Sequence, residues 1–165
     1  MMNDYVAAAR AFINQFANEL DTIWDNGKYF REYSAFAREH EIFWANGCSR
    51  FVLIKDNFVI KIDYRHNGYY GTSFTEYKTY KKAKEEGYDY LLCPISKIKC
   101  GHHYYYVMPR IDYLAMQEDE ELEMEECFSE EEVNWLYNNV YDIHNENFGR
   151  YNDDWVVIDY AWERV

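Results

Sequence analysis

Apolar residues near the start of the chain recur at the spacing of helices. Residues 4–24 carry an apolar side chain every three or four positions, which predicts an amphipathic helix that ends at Asp25-Asn26-Gly27. The same period continues over residues 29–44 and predicts a second helix that stops at Asn46-Gly47. Each helix has an ordinary apolar face, so we expect both to pack against the sheet that follows.

The next part of the chain has the pattern of strands. Residues 50–55 and 58–64 are rich in β-branched and aromatic side chains and flank Asp56-Asn57, which predicts a β-hairpin. Thr72 or Ser73 can cap a helix that continues to about Glu86 and closes at Gly87. Residues 88–98 and 103–108 then predict two strands around Gly101.

The last part of the chain has a capping signal and a turn signal. Residues 129–132 read Ser-Glu-Glu-Glu, a capping box that predicts a helix with four inward side chains: Val133, Leu136, Tyr137 and Val140. Residues 152–154 have turn chemistry, and residues 155–158 predict a short buried strand that ends at Asp159. The whole pattern predicts an α+β fold with N-terminal helices and a small antiparallel sheet.

Composition limits the class of protein. The chain has 165 residues, 48% hydrophobic and 20% aromatic, which predicts one domain with a substantial core. It has no apolar stretch of the roughly 20 residues that a membrane span needs and no signal-peptide pattern, so we expect a cytoplasmic protein without membrane contact. The spacing of its four cysteines matches no zinc-binding motif. The net charge of −13 argues against direct nucleic-acid binding and favours basic partners or simple solubility.

Two acids and an amide lie around the last predicted strand. Asp142 and Asn147 are five residues apart in the loop before it, and Asp159 follows it directly. Carboxylate and amide oxygens that converge at one point form a site suited to Mg²⁺. The residues alone also fit a surface turn before a strand, and His144 fits a structural hydrogen-bonding role.

This region resembles a known family. Asp142-Ile143-His144-Asn145-Glu146-Asn147, followed by an apolar strand and Asp159, is similar to the catalytic and metal-binding loops of the protein-kinase-like superfamily. The similarity is greater to its aminoglycoside-phosphotransferase branch and to small phage-encoded kinase-like proteins than to eukaryotic kinases. The resemblance implies that Asp142 orients and deprotonates a hydroxyl and that Asn147 and Asp159 hold Mg²⁺.

The upstream residues resemble the nucleotide-binding half of that family, in the same order. Residues 58–62 resemble the strand that presents a lysine to the ATP phosphates, with Lys61 in that position and Glu76 as its helix partner. Ser49 and Arg50 follow Gly47 where the glycine-rich loop is expected, and residues 108–110 resemble the hinge. The resemblance therefore implies nucleotide contacts from the following residues: Ser49, Arg50, Lys61, Met108 and Arg110.

Simpler interpretations of the upstream residues remain open at this point. Lys61 also fits a charge on the solvated side of an amphipathic strand. Glu76 also fits an acid favoured by the dipole at a helix N-terminus.

The resemblance implies a minimal kinase-like domain over residues 1–165. Residues 1–46 would form the N-terminal helices, residues 47–110 an N-lobe-like sheet and helix, and residues 111–165 a truncated C-terminal lobe. The implied function is Mg-ATP-dependent phosphate transfer, catalysed by Asp142, Lys61 and Glu76.

An alternative is a catalytically inactive kinase-like phage protein. One glycine stands where the family has several, Tyr160 follows Asp159 where a glycine is usual, and the C-terminal lobe is short. Such a protein would bind and inhibit a basic host protein in the host cytoplasm, as in a counter-defence role. Residues 117–126, with seven Glu and Asp side chains among ten, would supply the acidic surface.

Overall fold

The computed structural model of the protein describes residues 4–27, 29–47, 49–64, 71–101, 103–111, 124–140, 143 and 147–160. The helices are α1 (Asp4–Gln15), α2 (Ala17–Asn26), α3 (Tyr29–Glu39), α4 (Thr72–Glu86), α5 (Met124–Cys127) and α6 (Glu130–Asn139). The strands are β1 (Phe43–Asn46), β2 (Arg50–Lys55), β3 (Phe58–Asp63), β4 (Ser96–Cys100), β5 (His103–Pro109), β6 (Phe148–Tyr151) and β7 (Asp154–Val157). The predicted α+β class is confirmed. None of the helices in these ranges has the length and apolar character needed to cross a bilayer.

The chain divides into two compact units. Unit 1 comprises Met1–Phe74 and Ile95–Arg110, and unit 2 comprises Thr75–Pro94 and Ile111–Val165. Unit 1 contains α1 to α3 and β1 to β5, together with the first residues of α4. Unit 2 contains the rest of α4, the helices α5 and α6, and the hairpin β6–β7.

Unit 1 is built on a five-stranded antiparallel sheet in the order β1-β2-β3-β5-β4. The predicted hairpin is confirmed, and Asp56 takes the positive φ of 50° that its tight turn requires. The chain leaves the sheet after β3, forms α4, and returns at the edge strand β4. The strand β5 then lies directly against β3, which becomes the central strand.

One face of this sheet packs against α1, α2 and α3, as expected from their apolar periodicity. Alternate residues point to opposite faces of a strand, so every second residue of β2, β3 and β5 enters the same core. The sheet residues of that core are Phe51, Leu53, Phe58, Ile60, Ile62, Ile98, Tyr105 and Val107. The opposite face carries Lys61, Tyr106 and Met108, and all three side chains are buried.

The first predicted helix is two helices. The chain breaks at Phe16, which takes the non-helical angles φ −107° and ψ 15° between α1 and α2. The Phe16 ring contacts the rings of Phe12, Phe36 and His40 at centroid distances of 4.9, 5.4 and 4.5 Å. The Phe16 N–H still donates to the Phe12 carbonyl at 3.1 Å and the Leu20 N–H to the Phe16 carbonyl at 2.9 Å, so the interruption is confined to Phe16. The predicted end at Gly27 is confirmed by its φ of 71°.

The second helix is shorter than the predicted range of residues 29–44. The helix α3 ends at Glu39, Glu41 takes a φ of 55°, and the Ile42 N–H donates to the Ala37 carbonyl at 2.8 Å. Residues 43–46 then form β1, which pairs with β2. Their apolar pattern is compatible with either structure, and the pairing with the neighbouring strand β2 determines the outcome.

Unit 2 confirms the capping box and the turn before the last strand, whereas Tyr137, predicted on the inner face of the helix, is 57% exposed. The Glu132 N–H donates to Ser129 Oγ at 3.2 Å, and the Ser129 N–H donates to Glu132 Oε1 at 2.7 Å. The turn between β6 and β7 uses Asn152 and Asp153 with φ of 51° and 68°. Residues 88–98 contain a 3-10 turn at Asp89–Leu91, and their strand begins only at Ser96, so the predicted strand is wrong over residues 88–95.

Candidate functional site

Lys61 lies in the central strand of unit 1 and is buried, with 6% of its side chain exposed. It stands opposite Val52 of β2 and Tyr106 of β5. A buried ammonium group loses its hydration and needs compensating interactions. Its burial excludes the interpretation of Lys61 as a charge on a solvated strand face.

Glu76 lies in the second turn of α4 and has 0% of its side chain exposed. The favourable effect of a helix dipole on an acid falls off within the first turn and does not require burial. Within the residues that the structure describes, Lys61 and Glu76 are the two buried members of the Lys, Arg, Asp and Glu classes. Such side chains are almost never fully buried unless they are paired.

The start of α4 is held by Asp63, the last residue of β3. Its carboxylate accepts the Ser73 N–H at 3.0 and 3.1 Å and the Phe74 N–H at 3.2 Å, so it satisfies two of the N–H groups that a helix start leaves open. The cap was predicted from Thr72 or Ser73, but Asp63 of β3 provides it. A Cβ at Gly71 would collide with the Asp63 side chain, so this close approach requires glycine. Glu76 follows Ser73 by one turn, and Lys61 precedes Asp63 by two residues.

We expect Asp63→Ala to lower the free energy of unfolding by about 1–2 kcal/mol, since removal of a helix cap costs 0.5–2 kcal/mol. Urea denaturation measures the loss. Asp63→Asn keeps one acceptor oxygen and serves as the matched control, with a smaller loss expected. An Asp63→Ala chain as stable as the unchanged protein would contradict the capping role.

The predicted nucleotide contacts Ser49 and Arg50 face the same helix start. The Ser49 hydroxyl is hydrogen-bonded to the Thr72 hydroxyl, and Arg50 Nη1 donates to Ser73 Oγ at 3.4 Å. The Gly47 N–H donates to the Arg50 carbonyl at 3.0 Å and closes the chain between β1 and β2 into a tight turn. The turn predicted to cover phosphates thus lies beside the N-terminus of α4 within unit 1.

The hinge-like residues end β5 beside the strand that carries Lys61. Met108 is buried and stands opposite Val59 of β3. The Arg110 N–H donates to the Asn57 carbonyl at 2.9 Å, and its guanidinium lies 5.8 Å from the Phe43 ring centroid. Arg110 is therefore directed toward the turn between β2 and β3 and toward β1.

The predicted metal ligands Asn147 and Asp159 flank the open end of the β6–β7 hairpin in unit 2. The Ile158 N–H donates to the Asn147 carbonyl at 2.7 Å, which extends the hairpin by one pair. Asp159 directly follows Ile158 in the chain. Asp159 is exposed, whereas the Tyr160 ring is buried and its hydroxyl donates to the Cys93 carbonyl at 2.7 Å. A fixed strand therefore presents an accessible carboxylate. Asp142, the predicted base, lies outside the described residues.

Two features of unit 1 were missed from the sequence. Asp63 precedes the helix that it caps by nine residues, a separation at which no local capping signal exists. His103 follows Cys100 by three residues, and the two stand opposite each other across a hairpin. The burial of His103 results from packing within unit 1, and no local sequence signal predicts it.

Comparison of the chain with protein-family models, with curated proteins and with solved structures gave no match.

Proposed function

We propose that the protein binds Mg-ATP in a kinase-like manner and transfers the terminal phosphate to an acceptor hydroxyl. The observation that carries this proposal is the burial of Lys61 and Glu76. They have opposite charge, they occupy the positions that the kinase resemblance implies, and burial of an ion costs several kcal/mol without compensation. Charged groups kept in such unfavourable surroundings are concentrated at functional sites.

The register of the sheet supports the nucleotide-binding half of the proposal. Lys61 is opposite Tyr106, two residues before the hinge-like Met108, so the lysine strand and the hinge-like strand are direct neighbours. In the proposed site the ammonium of Lys61 would hold the ATP phosphates. Glu76 would keep that ammonium oriented, and the anchoring of α4 by Asp63 would hold Glu76 in place.

The β6–β7 hairpin supports the metal-binding half. Asn147 and Asp159 offer an amide oxygen and a carboxylate, the hard oxygen ligands that Mg²⁺ prefers. When bound, the ion would neutralise charge on the phosphates. Asp142 would accept the proton of the attacking hydroxyl, and phosphate transfer depends mainly on this positioning and charge neutralisation.

The test is Mg-ATP binding measured by thermal unfolding of the full chain. A ligand present at about a hundred times its Kd stabilises the folded state by roughly 2.7 kcal/mol, which raises the Tm of a chain of this size by several degrees. We expect this shift with Mg-ATP, and a smaller one when EDTA removes the metal.

Two variants of one hairpin separate the metal site from a general charge effect. Asp159→Asn should lose most of the Mg-dependent part of the shift. Asp153→Asn removes an exposed carboxylate at the hairpin tip, where asparagine tolerates the positive φ, and should leave the shift unchanged. No shift with millimolar Mg-ATP, or an equal shift in Asp159→Asn, would overturn the proposed site.

A second function, the binding of a basic protein, is favoured by the acidic surface. Glu125 and Glu126 of α5 and Glu130 and Glu131 of α6 are exposed within a short stretch of a chain with a net charge of −13. Like charges repel one another, and a basic partner would relieve that repulsion and associate rapidly.

Salt dependence tests this second function. The experiment is a pull-down from host lysate with the protein as bait. A basic partner should be retained at about 0.05 M salt and released near 1 M, where the Debye length falls to about 3 Å. Replacing the following four residues with glutamine should also abolish capture: Glu120, Glu121, Glu123 and Glu125. The same capture and the same salt dependence in that variant would show that the acidic residues only solvate the surface.

A further inference from the structure

Three aromatic rings form a row within unit 2, which we call the aromatic row. The Trp135 ring of α6 stacks on the Tyr88 ring at a centroid distance of 5.2 Å, and the Tyr88 ring lies 6.5 Å from the Tyr90 ring. Both distances are in the range of favourable aromatic pairs. Trp135 is buried at one end of the row, Tyr88 is half-buried, and Tyr90 at the other end is 56% exposed. The row therefore leads from the core of unit 2 to an accessible ring.

Two carboxylates are held against the inner rings of the row. Trp135 Nε1 donates to Glu86 Oε2 at 2.8 Å, and the Tyr88 hydroxyl donates to Glu131 Oε1 at 2.6 Å. An ionised carboxylate has about four acceptor sites on its two oxygens, so one such bond leaves it able to accept further donors. The hydrogen bonds fix the direction of both acids without using up their capacity.

A third carboxylate, Glu132, lies beside the exposed ring. It accepts the Ser129 N–H in the capping box of α6, and the Tyr90 hydroxyl also donates to it. Burial raises the pKa of Glu132, but these hydrogen bonds lower it by more, so its pKa is below the usual value and the group is ionised at neutral pH. The bond to Glu132 and then burial raise the pKa of Tyr90 to about 12, so the hydroxyl stays a donor. The helix start thus holds a negative charge next to an accessible aromatic ring.

The charge around the aromatic row favours a cationic ligand. Glu130 and Glu131 are both exposed at the start of α6. Lys82 lies one turn before Glu86 on α4, but its ammonium donates to Asn139 Oδ1 at 2.6 Å and is therefore directed to the other end of α6. A cation above an aromatic face is attracted by the ring, and nearby carboxylates add to that attraction.

We propose that the aromatic row, with Glu131 and Glu132, binds an arginine side chain on an exposed segment of a basic partner protein. A guanidinium group is planar, so it can stack on the Tyr90 ring while its N–H groups donate to a carboxylate. A lysine ammonium is a compact, strongly hydrated charge and cannot make both contacts in this way. The proposal rests on the second proposed function, the binding of a basic protein, and names the contact that would recognise the partner.

The experiment is a titration of the full chain into a labelled peptide, followed by fluorescence anisotropy at about 0.15 M salt. The peptide alternates arginine with glycine, and a second peptide of equal length and charge has lysine in place of arginine. We expect the arginine peptide to bind at least about fivefold more tightly, because stacking and paired hydrogen bonds favour the guanidinium.

Three tyrosine variants test the exposed ring. Tyr90→Ala should weaken binding of the arginine peptide about fivefold, the size of a cation–π contact near a protein surface. Tyr90→Phe keeps the ring face and should stay within about twofold of the unchanged protein. Tyr137→Ala is the matched control, because Tyr137 is 57% exposed on α6 but lies about 200° around that helix from Trp135. We expect it to change the affinity less than about twofold, and the circular dichroism spectra of all three variants to match that of the unchanged protein.

Two glutamine variants separate a local contact from the general charge of the chain. Glu131→Gln keeps an acceptor for the Tyr88 hydroxyl, removes one charge from the aromatic row, and should weaken binding of the arginine peptide about fivefold. Glu85→Gln removes one charge from an exposed position of α4 in the same unit and should change the affinity less than about twofold.

Several results would overturn the proposal. They are the absence of peptide binding, equal affinity for the two peptides, and an affinity unchanged in Tyr90→Ala. Equal losses in Glu131→Gln and Glu85→Gln would show general attraction to an acidic chain only. Capture of a basic partner from lysate that Tyr90→Ala does not affect would overturn this contact and leave the second proposed function standing. The expected peptide results without any captured partner would contradict that function and retain the arginine site.

Discussion

Replacing Lys61 with methionine is expected to lower the free energy of unfolding by about 3–5 kcal/mol. The proposed function requires Lys61 to compensate the charge of Glu76. Removal of one member of a buried ion pair leaves the other charge without compensation in a medium of low dielectric constant, which is among the most destabilising single changes. Glu76→Leu should cost a similar amount for the same reason. Urea denaturation of each variant gives the two values.

The double variant Lys61→Met/Glu76→Leu makes this prediction specific. Apolar replacement of both members of a buried pair is often neutral or stabilising, so the double variant should be more stable than either single variant. Lys99→Met is the matched control, because Lys99 is an exposed lysine on the edge strand of the same sheet. We expect it to change stability by no more than about 0.5 kcal/mol. If the two single losses simply add in the double variant, Lys61 and Glu76 are not a pair, and the proposed nucleotide site loses its main support.

Replacing Asp142 with asparagine is expected to reduce phosphate transfer by about 10²–10⁴-fold, the usual contribution of a general base. The change preserves the shape of the side chain but removes its negative charge and its ability to accept the proton of the attacking hydroxyl. The Mg-ATP-dependent rise in Tm should remain, because the binding groups are Lys61, Asn147 and Asp159. Loss of turnover with retained binding is the result that separates a chemical role from a binding role.

The measurement is single-turnover transfer of labelled phosphate from ATP, to water or to the chain itself, in the presence of Mg²⁺. Asp153→Asn is again the control, since it removes a carboxylate from the same part of the chain without entering the proposed site. Transfer that survives unchanged in Asp142→Asn would show that the reaction depends on another residue. If the unchanged protein binds Mg-ATP but transfers no phosphate, the inactive kinase-like alternative would be supported.

The sequence by itself determined the features that depend on neighbouring residues. The turn at Asp56-Asn57, the helix end at Gly87, the Ser129–Glu132 capping box and the turn at residues 152–154 were all predicted correctly. Each rests on φ angles or hydrogen bonds within a few residues of the signal, so the local sequence contains the whole cause. The α+β class followed from the same local signals.

Only the tertiary structure decided the features that depend on distant parts of the chain. Phe16, where α1 and α2 separate, packs against the Phe36 ring of α3. Asp63 caps α4 from a strand, and His103 meets Asp21 and Asp25 from another element. Lys61 and Glu76 could be identified by position, but their burial could not. Burial depends on which surfaces cover a side chain, and folding brings those surfaces together from residues far apart in the sequence.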